Sequence, residues 1–252
     1  MAGAVVLTAT TAACGGSGGG GGDRGPASKA PEETPKESAA QAAGPLDRAG
    51  AKRALIGEAD VGFGWKIAPK DDVEDQSKDK KDDDSSVTSD DAECQAAYQG
   101  TKEDDLGAAP PKTAAWWGAT KGDAYSDEAS RSVFHMVFPL KDAQRAEDLT
   151  AKWKQYAEAC NLKELKEDDM DRTLAITKLS TPSYGDDSSA VRMESSDGMS
   201  TIDTLLVRKG ANLSYLTIST FSINDDANVE PDDKLTEKLL KSAAERLDAA
   251  VR

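Results

Sequence analysis

The chain has 252 residues, a formal net charge of -15 and only 5% aromatic residues, the composition of a soluble acidic protein. Such a surface repels phosphate backbones, which disfavours nucleic acid as a partner. No apolar run reaches the roughly 18 residues that a spanning helix needs, so any hold on a membrane must come by other means.

The first residues read as targeting and not as structure. An apolar stretch, Ala4-Val5-Val6-Leu7, leads to the small residues Thr11-Ala12-Ala13 directly before Cys14. The pattern resembles a bacterial lipobox. That resemblance implies a signal peptide over 1–13, cleavage before Cys14, and diacylglycerol on the Cys14 thiol. Thr11 stands where such signals usually carry Leu, and no Lys or Arg precedes the apolar stretch, which reads as a truncated start. The alternative is an ordinary secretory signal, or a short apolar terminus with an unmodified Cys14. Residues 15–22 are glycine except for Ser17, and 23–43 continue in Pro, Ala, Glu, Lys and Ser without periodicity. A chain of that kind is a flexible coil, so 14–45 is expected to be a lipidated tether. The expected location is the outer face of the cytoplasmic membrane, with the membrane as a partner through the lipid.

The folded part is expected as one domain over 46–252. Residues 46–59 carry Ala49, Ala51, Leu55 and Ile56 among basic and small residues, a short entry helix ending at Gly57, with a strand following near 65–67. Residues 71–91 hold ten acids against three lysines and should form a disordered, solvated loop. A short helix at 91–100 would carry Cys94. A strand at 114–119 holds Trp116 and Trp117, and one at 130–138 sets Phe134, Met136 and Phe138 against Val133, His135 and Val137, a strand covered on both faces. From 141 to 160, Ala146, Leu149, Trp153, Tyr156 or Ala157, and Cys160 recur at helical spacing. Strands are expected at 174–179, 190–194, 200–208 and 212–220, with a turn at Lys209-Gly210-Ala211 between the last two. Pro231-Asp232-Asp233 caps a final helix with an apolar stripe of Leu235, Leu239, Ala243, Leu247 and Ala250. This order predicts the α+β class: an antiparallel sheet flanked by helices, preceded by the glycine-rich tether.

If Cys14 carries lipid, Cys94 and Cys160 remain as an even pair, and in an exported protein the expectation is a disulfide. The alternative is two separate buried thiols. Catalytic sets are missing. His135, the only histidine, sits mid-strand, and the one Gly-x-Ser-x-Gly match, Gly15 to Gly19, falls in the glycine-rich tether where no strand leads into it, so His135 is expected to be a packed core residue. Asp82-Asp83-Asp84 and Asn224-Asp225-Asp226 lack the calcium-loop pattern and read as solvated charge, so no metal is expected. The glycines form no phosphate cradle, and no cofactor is expected. Adjacent strand residues face opposite ways, so one of Trp116 and Trp117 could line a ligand groove while the other is core. The leading reading is a surface-anchored binding or sensor-like module, not an enzyme, with a small ligand or an envelope protein as partner. A cell-envelope structural or assembly factor comes second, and a carboxylate-dependent hydrolase third.

Taken together, Leu55-Ile56 leading to Gly64-Trp65, Glu93-Cys94 in a short helix, and a strand 133–138 running into an Ala-rich helix that ends Ala159-Cys160 loosely resemble extracellular sensor-like domains. These are the domains of actinobacterial lipoproteins and of mycobacterial PknH-type receptor kinases. The resemblance covers residues 46–252. It implies a central antiparallel sheet with flanking helices, a disulfide framework and a cleft for an unidentified ligand. That family commonly carries two bridges where this chain has one cysteine pair, and no family site residues carry over.

Overall fold

The computed structural model describes residues 44–68, 87–102, 112–123, 129–167, 172–224 and 229–252. Among them nine strands join in one sheet whose neighbours are all antiparallel. In chain order they are β1 Lys66–Ile67, β2 Val87–Thr88, β3 Ala115–Lys121, β4 Ser130–Pro139, β5 Lys163–Glu167, β6 Arg172–Lys178, β7 Asp187–Ser195, β8 Ser200–Lys209 and β9 Asn212–Phe221. Across the sheet the order is β1-β3-β4-β9-β8-β7-β6-β5-β2. The helices are α1 Arg48–Ala54, α2 Glu58–Val61, α3 Ala92–Lys102, α4 Ala143–Ala159 and α5 Asp233–Val251. The expected α+β class, an antiparallel sheet with flanking helices, is the class observed.

The alternation in β4 explains the layering. Val133 and Val137 join Leu205, Leu216 and Ile218 on one face, under Ala51 and Ala54 of α1 and Leu239, Ala243 and Leu247 of α5. Phe138 joins Leu206 and Leu213 on the other face, under Ala146 and Leu149 of α4. Further along that second face, Leu165, Ile176 and Val191 meet Ala97 of α3 and Tyr156 and Ala157 of α4. A strand sandwiched this way is apolar on both sides, as β4 is. Each fully buried Leu contributes roughly 1.5–3 kcal/mol through removal from water.

Capping residues fix where the long helices begin. The Asp142 carboxylate accepts from the Arg145 N–H at 2.8 Å, and that of Asp232 from the Leu235 N–H at 3.0 Å, so α4 and α5 each start on an aspartate that satisfies an orphan donor. The same device places Cys94. Asp91 accepts from the Glu93 and Cys94 N–H groups at 3.1 and 3.0 Å, and Cys94 is disulfide-bonded to Cys160, the residue closing α4. Both cysteines are fully buried.

Three expectations need correction. The entry helix is not continuous: Leu55 turns extended at φ -67°, ψ 143°, and the next amide, Ile56 N–H, leaves the helical ladder for the ring of His135. Two short helices result. The acidic stretch 71–91 is not loop throughout. Residues 71–86, with Asp82-Asp83-Asp84, lie outside the described residues, but Val87–Thr88 pairs with β5 and Val87 is buried. Asp90 and Asp91 there are tied to Lys166 and Lys163 at 2.6 and 2.8 Å. Finally, β5 itself was unforeseen, because Lys163-Glu164-Leu165-Lys166-Glu167 shows one apolar residue in five and its neighbours are charged.

Two turns show why glycine is required. Gly210, in the expected hairpin turn of β8 and β9, takes φ +58°. Gly185, before β7, takes φ +61°, and a Cβ there would lie 2.3 Å from the Arg208 carbonyl oxygen, so any other residue meets both strain and backbone.

Candidate functional site

Trp116 and Trp117 point to opposite faces, as neighbours on a strand must. Trp116 meets Phe138 edge-on with ring centroids 5.9 Å apart and tilts against Phe134 at 6.1 Å, on the α4 face. Trp117 packs against the α1 and α5 core. Both indoles remain half-buried. Beside them lies a groove of about 250 Å³, walled by Trp116 and Trp117 from β3 and by Arg48, Lys52, Leu55 and Ile56 from α1 and its end.

The α1 wall is built from local rules. Asp47 caps the helix by accepting from the Gly50 N–H at 2.6 Å. Arg48 and Lys52, four residues apart, then share one face. The segment before α1 is pinned to the end of the sheet: the Leu46 N–H donates to Asn212 Oδ1 at 2.8 Å, and Asn212 Nδ2 donates to the Gly44 carbonyl at 3.0 Å. The other end of the wall is pinned by the core histidine. His135, paired across strands with Trp117, accepts the Ile56 N–H on Nδ1 at 3.0 Å. That leaves the proton of the neutral ring on Nε2, 2.7 Å from Ser214 Oγ. Complete burial, with a smaller contribution from Arg246 and an opposing one from Asp60, pushes its pKa down to about 3. The expectation of a packed histidine therefore holds, and the residue also positions a wall of the groove.

A second groove, about 600 Å³, runs between Thr181 and Pro182, which precede β7, and Asp233, Thr236 and Glu237 at the start of α5. Two of its charges, Arg192 and Asp233, are already engaged. Arg192 on β7 grips Asp203 on β8 with two bonds of 2.7 and 2.8 Å and reaches Asp233 at 2.7 Å. Thr236 Oγ1 donates to Asp203 at 2.7 Å, tying α5 to the sheet. Asp203 is 3% exposed and Arg192 11% at their side chains, so removing one leaves the other buried and underpaired. Because Asp233 partly compensates Arg192, Asp203→Asn is expected to cost about 2 kcal/mol in urea denaturation. An unchanged midpoint would mean that the pair contributes no net stability.

Phe63 is 102% exposed at the apex of a turn between Gly62 at φ +90° and Gly64 at φ +89°. Among the described residues, no group of three or more His, Cys, Asp or Glu is placed to hold a metal, and no helix is long and apolar enough to cross a membrane.

The sequence-level candidates are thus divided. Cys94 and Cys160 are brought together, Trp116 and Trp117 border one groove, and Cys14 lies outside the described residues, as does the tether before residue 44. The cationic wall was missed, although Arg48 and Lys52 stand at helical spacing in the expected entry helix. The Arg192–Asp203 pair was also missed. Its signal was a pair of opposite charges inside strands and symmetric about the Asp197-Gly198 turn.

No protein-family profile matches the chain, and no curated protein matches it. Among solved structures, the crystal structure of the extracellular domain of PknH from Mycobacterium tuberculosis is similar over 82% of this chain and 97% of that one. The identity is 11% and the TM-score 0.49.

Proposed function

We propose that this protein is an exported, lipid-anchored binding module of the sensor-like kind, without catalytic activity of its own, and that its ligand site is the groove between α1 and β3. The groove carries the reading, because the half-buried Trp117 indole and two cations border one recess, with the few polar groups and apolar walls that ligand sites use. The disulfide supports export, since such bonds persist in oxidising compartments. With that bridge formed, Cys14 is the one cysteine of three left for lipid, and the glycine-rich segment after it suits a tether.

The anchor is tested by feeding cells an alkyne-tagged fatty acid and isolating the full-length protein. Label should appear on the wild type and vanish in Cys14→Ser; label retained by the variant removes the anchor. The binding role is tested by a fragment screen read on the indole N–H resonance of Trp117, with that of Trp116 on the opposite face as the control. Selective shifts of the Trp117 signal are expected, and a Trp117 signal unmoved by every fragment removes the groove as the site.

A further inference from the structure

We infer that the groove between α1 and β3 takes a small planar anion: one ring system bearing a carboxylate or a phosphate. This rests on the groove being a binding site and goes on to name what it binds.

The charge argument comes first. The chain carries 46 acids against 31 bases, so a recess of this protein is expected to be lined by carboxylates. This one is not. Its lining includes Arg48 and Lys52 and contains no Asp or Glu among the described residues. The contrast lies within the same molecule, where the larger groove is rimmed by Asp233 and Glu237. Arg48 and Lys52 project from successive turns of α1, so both can address a single anionic group. Arg48 already engages a neighbour within the protein, but a guanidinium has five N–H donors in a planar fork and can serve a second acceptor.

Shape decides the rest of the ligand. A volume of about 250 Å³ is that of roughly eight waters at about 30 Å³ each. That is room for one ring system with its head group, not for an oligosaccharide or a peptide of several residues. The half-buried Trp117 indole, with Leu55 and Ile56, offers a flat apolar wall on which a ring loses water and stacks. The wall is preformed. His135 holds Ile56 from inside the core and Asn212 holds the entry to α1, so little ordering cost opposes binding.

The experiment titrates the full-length protein with four probes of one shape: benzoate, phenyl phosphate, benzamide and benzylamine. Binding is followed by the Trp117 indole resonance and by calorimetry. At least one of benzoate and phenyl phosphate should bind roughly tenfold tighter than benzamide, as two partly exposed ion pairs allow. Rising salt should erase that margin. The tighter of the two anions identifies the head group. Arg48→Gln/Lys52→Gln, which alters exposed side chains only, should reduce the anions to the affinity of benzamide while far-UV circular dichroism stays unchanged. Benzamide or benzylamine binding as tightly as the anions, with the Trp117 signal shifting, overturns the anion preference and leaves the groove as a site. A Trp117 signal unmoved by all four probes overturns the site along with its ligand.

Discussion

Replacing Cys94 and Cys160 together by alanine will lower stability by about 4 kcal/mol. The bridge closes a loop with a sequence separation of 66, and the loop-entropy account assigns roughly that amount to a closure of this length. For a domain of this size it corresponds to roughly 8–16 °C in the melting temperature. The location of the bond makes the loss local as well as global. Both cysteines sit in the cluster of Val87, Tyr156, Leu165 and Ile176, and α3 touches the body chiefly through α4. Without the bond, α3 and β2 should become the first segments to exchange their amides. The groove lies under α1, on the other face of the sheet, so the Trp117 signal of the folded fraction should not change. Thermal melts of the double variant, and of the wild type with and without reductant, measure the effect. Identical melting in all of them would show that the bridge is energetically idle.

Replacing His135 by alanine will cost about 3 kcal/mol and remove the pH dependence that the chain's one histidine supplies. The substitution strands the Ile56 N–H and the Ser214 hydroxyl in a buried site and leaves a cavity. The pH dependence follows from linkage. Burial holds the folded-state pKa at about 3 against an ordinary 6.5, so on acidification the unfolded chain takes up a proton that the folded protein refuses. The stabilisation is complete above pH 6.5 and is lost as pH falls toward 3, at about 1.4 kcal/mol per pH unit. Between pH 6.5 and 5 this amounts to about 2 kcal/mol. The window is clean because the chain has one histidine. Asp91, Asp186, Asp197 and Asp248 have their pKa values lowered from an ordinary 3.8, so their stabilisation is lost only at lower pH. Urea midpoints of wild type and His135→Gln across that window give the measurement. A wild-type curve as flat as the variant's would refute the buried neutral ring. The Ile56 amide should also exchange faster in His135→Ala, since its acceptor is gone, and the groove wall should loosen with it.

Some of this was legible before any tertiary structure. The two-sided alternation of β4, the helical stripes of α4 and α5, and the glycine turn before β9 are local patterns with short repeats, and each appears where the pattern places it. The paired cysteines were legible by parity and compartment. Trp116 and Trp117 facing opposite ways follows from strand geometry alone, so the groove was half in view. The misses share a cause. The entry helix breaks at Leu55 because a distant imidazole competes for one amide, and β5 forms a strand, despite one apolar residue in five, because β6 on one side and β2 on the other supply its backbone partners.

The sequence by itself therefore determined the class of the fold, its long elements and the residues that could form a bridge, because period, capping and parity act over a few residues or on composition. Only the tertiary structure decided what His135 does. It set Arg48 and Lys52 opposite Trp117, and it gave the acidic protein a recess whose described lining holds two cations and no carboxylate. Those depend on which strands become neighbours and which face a short helix covers, and such long-range pairings leave no periodic trace in the chain.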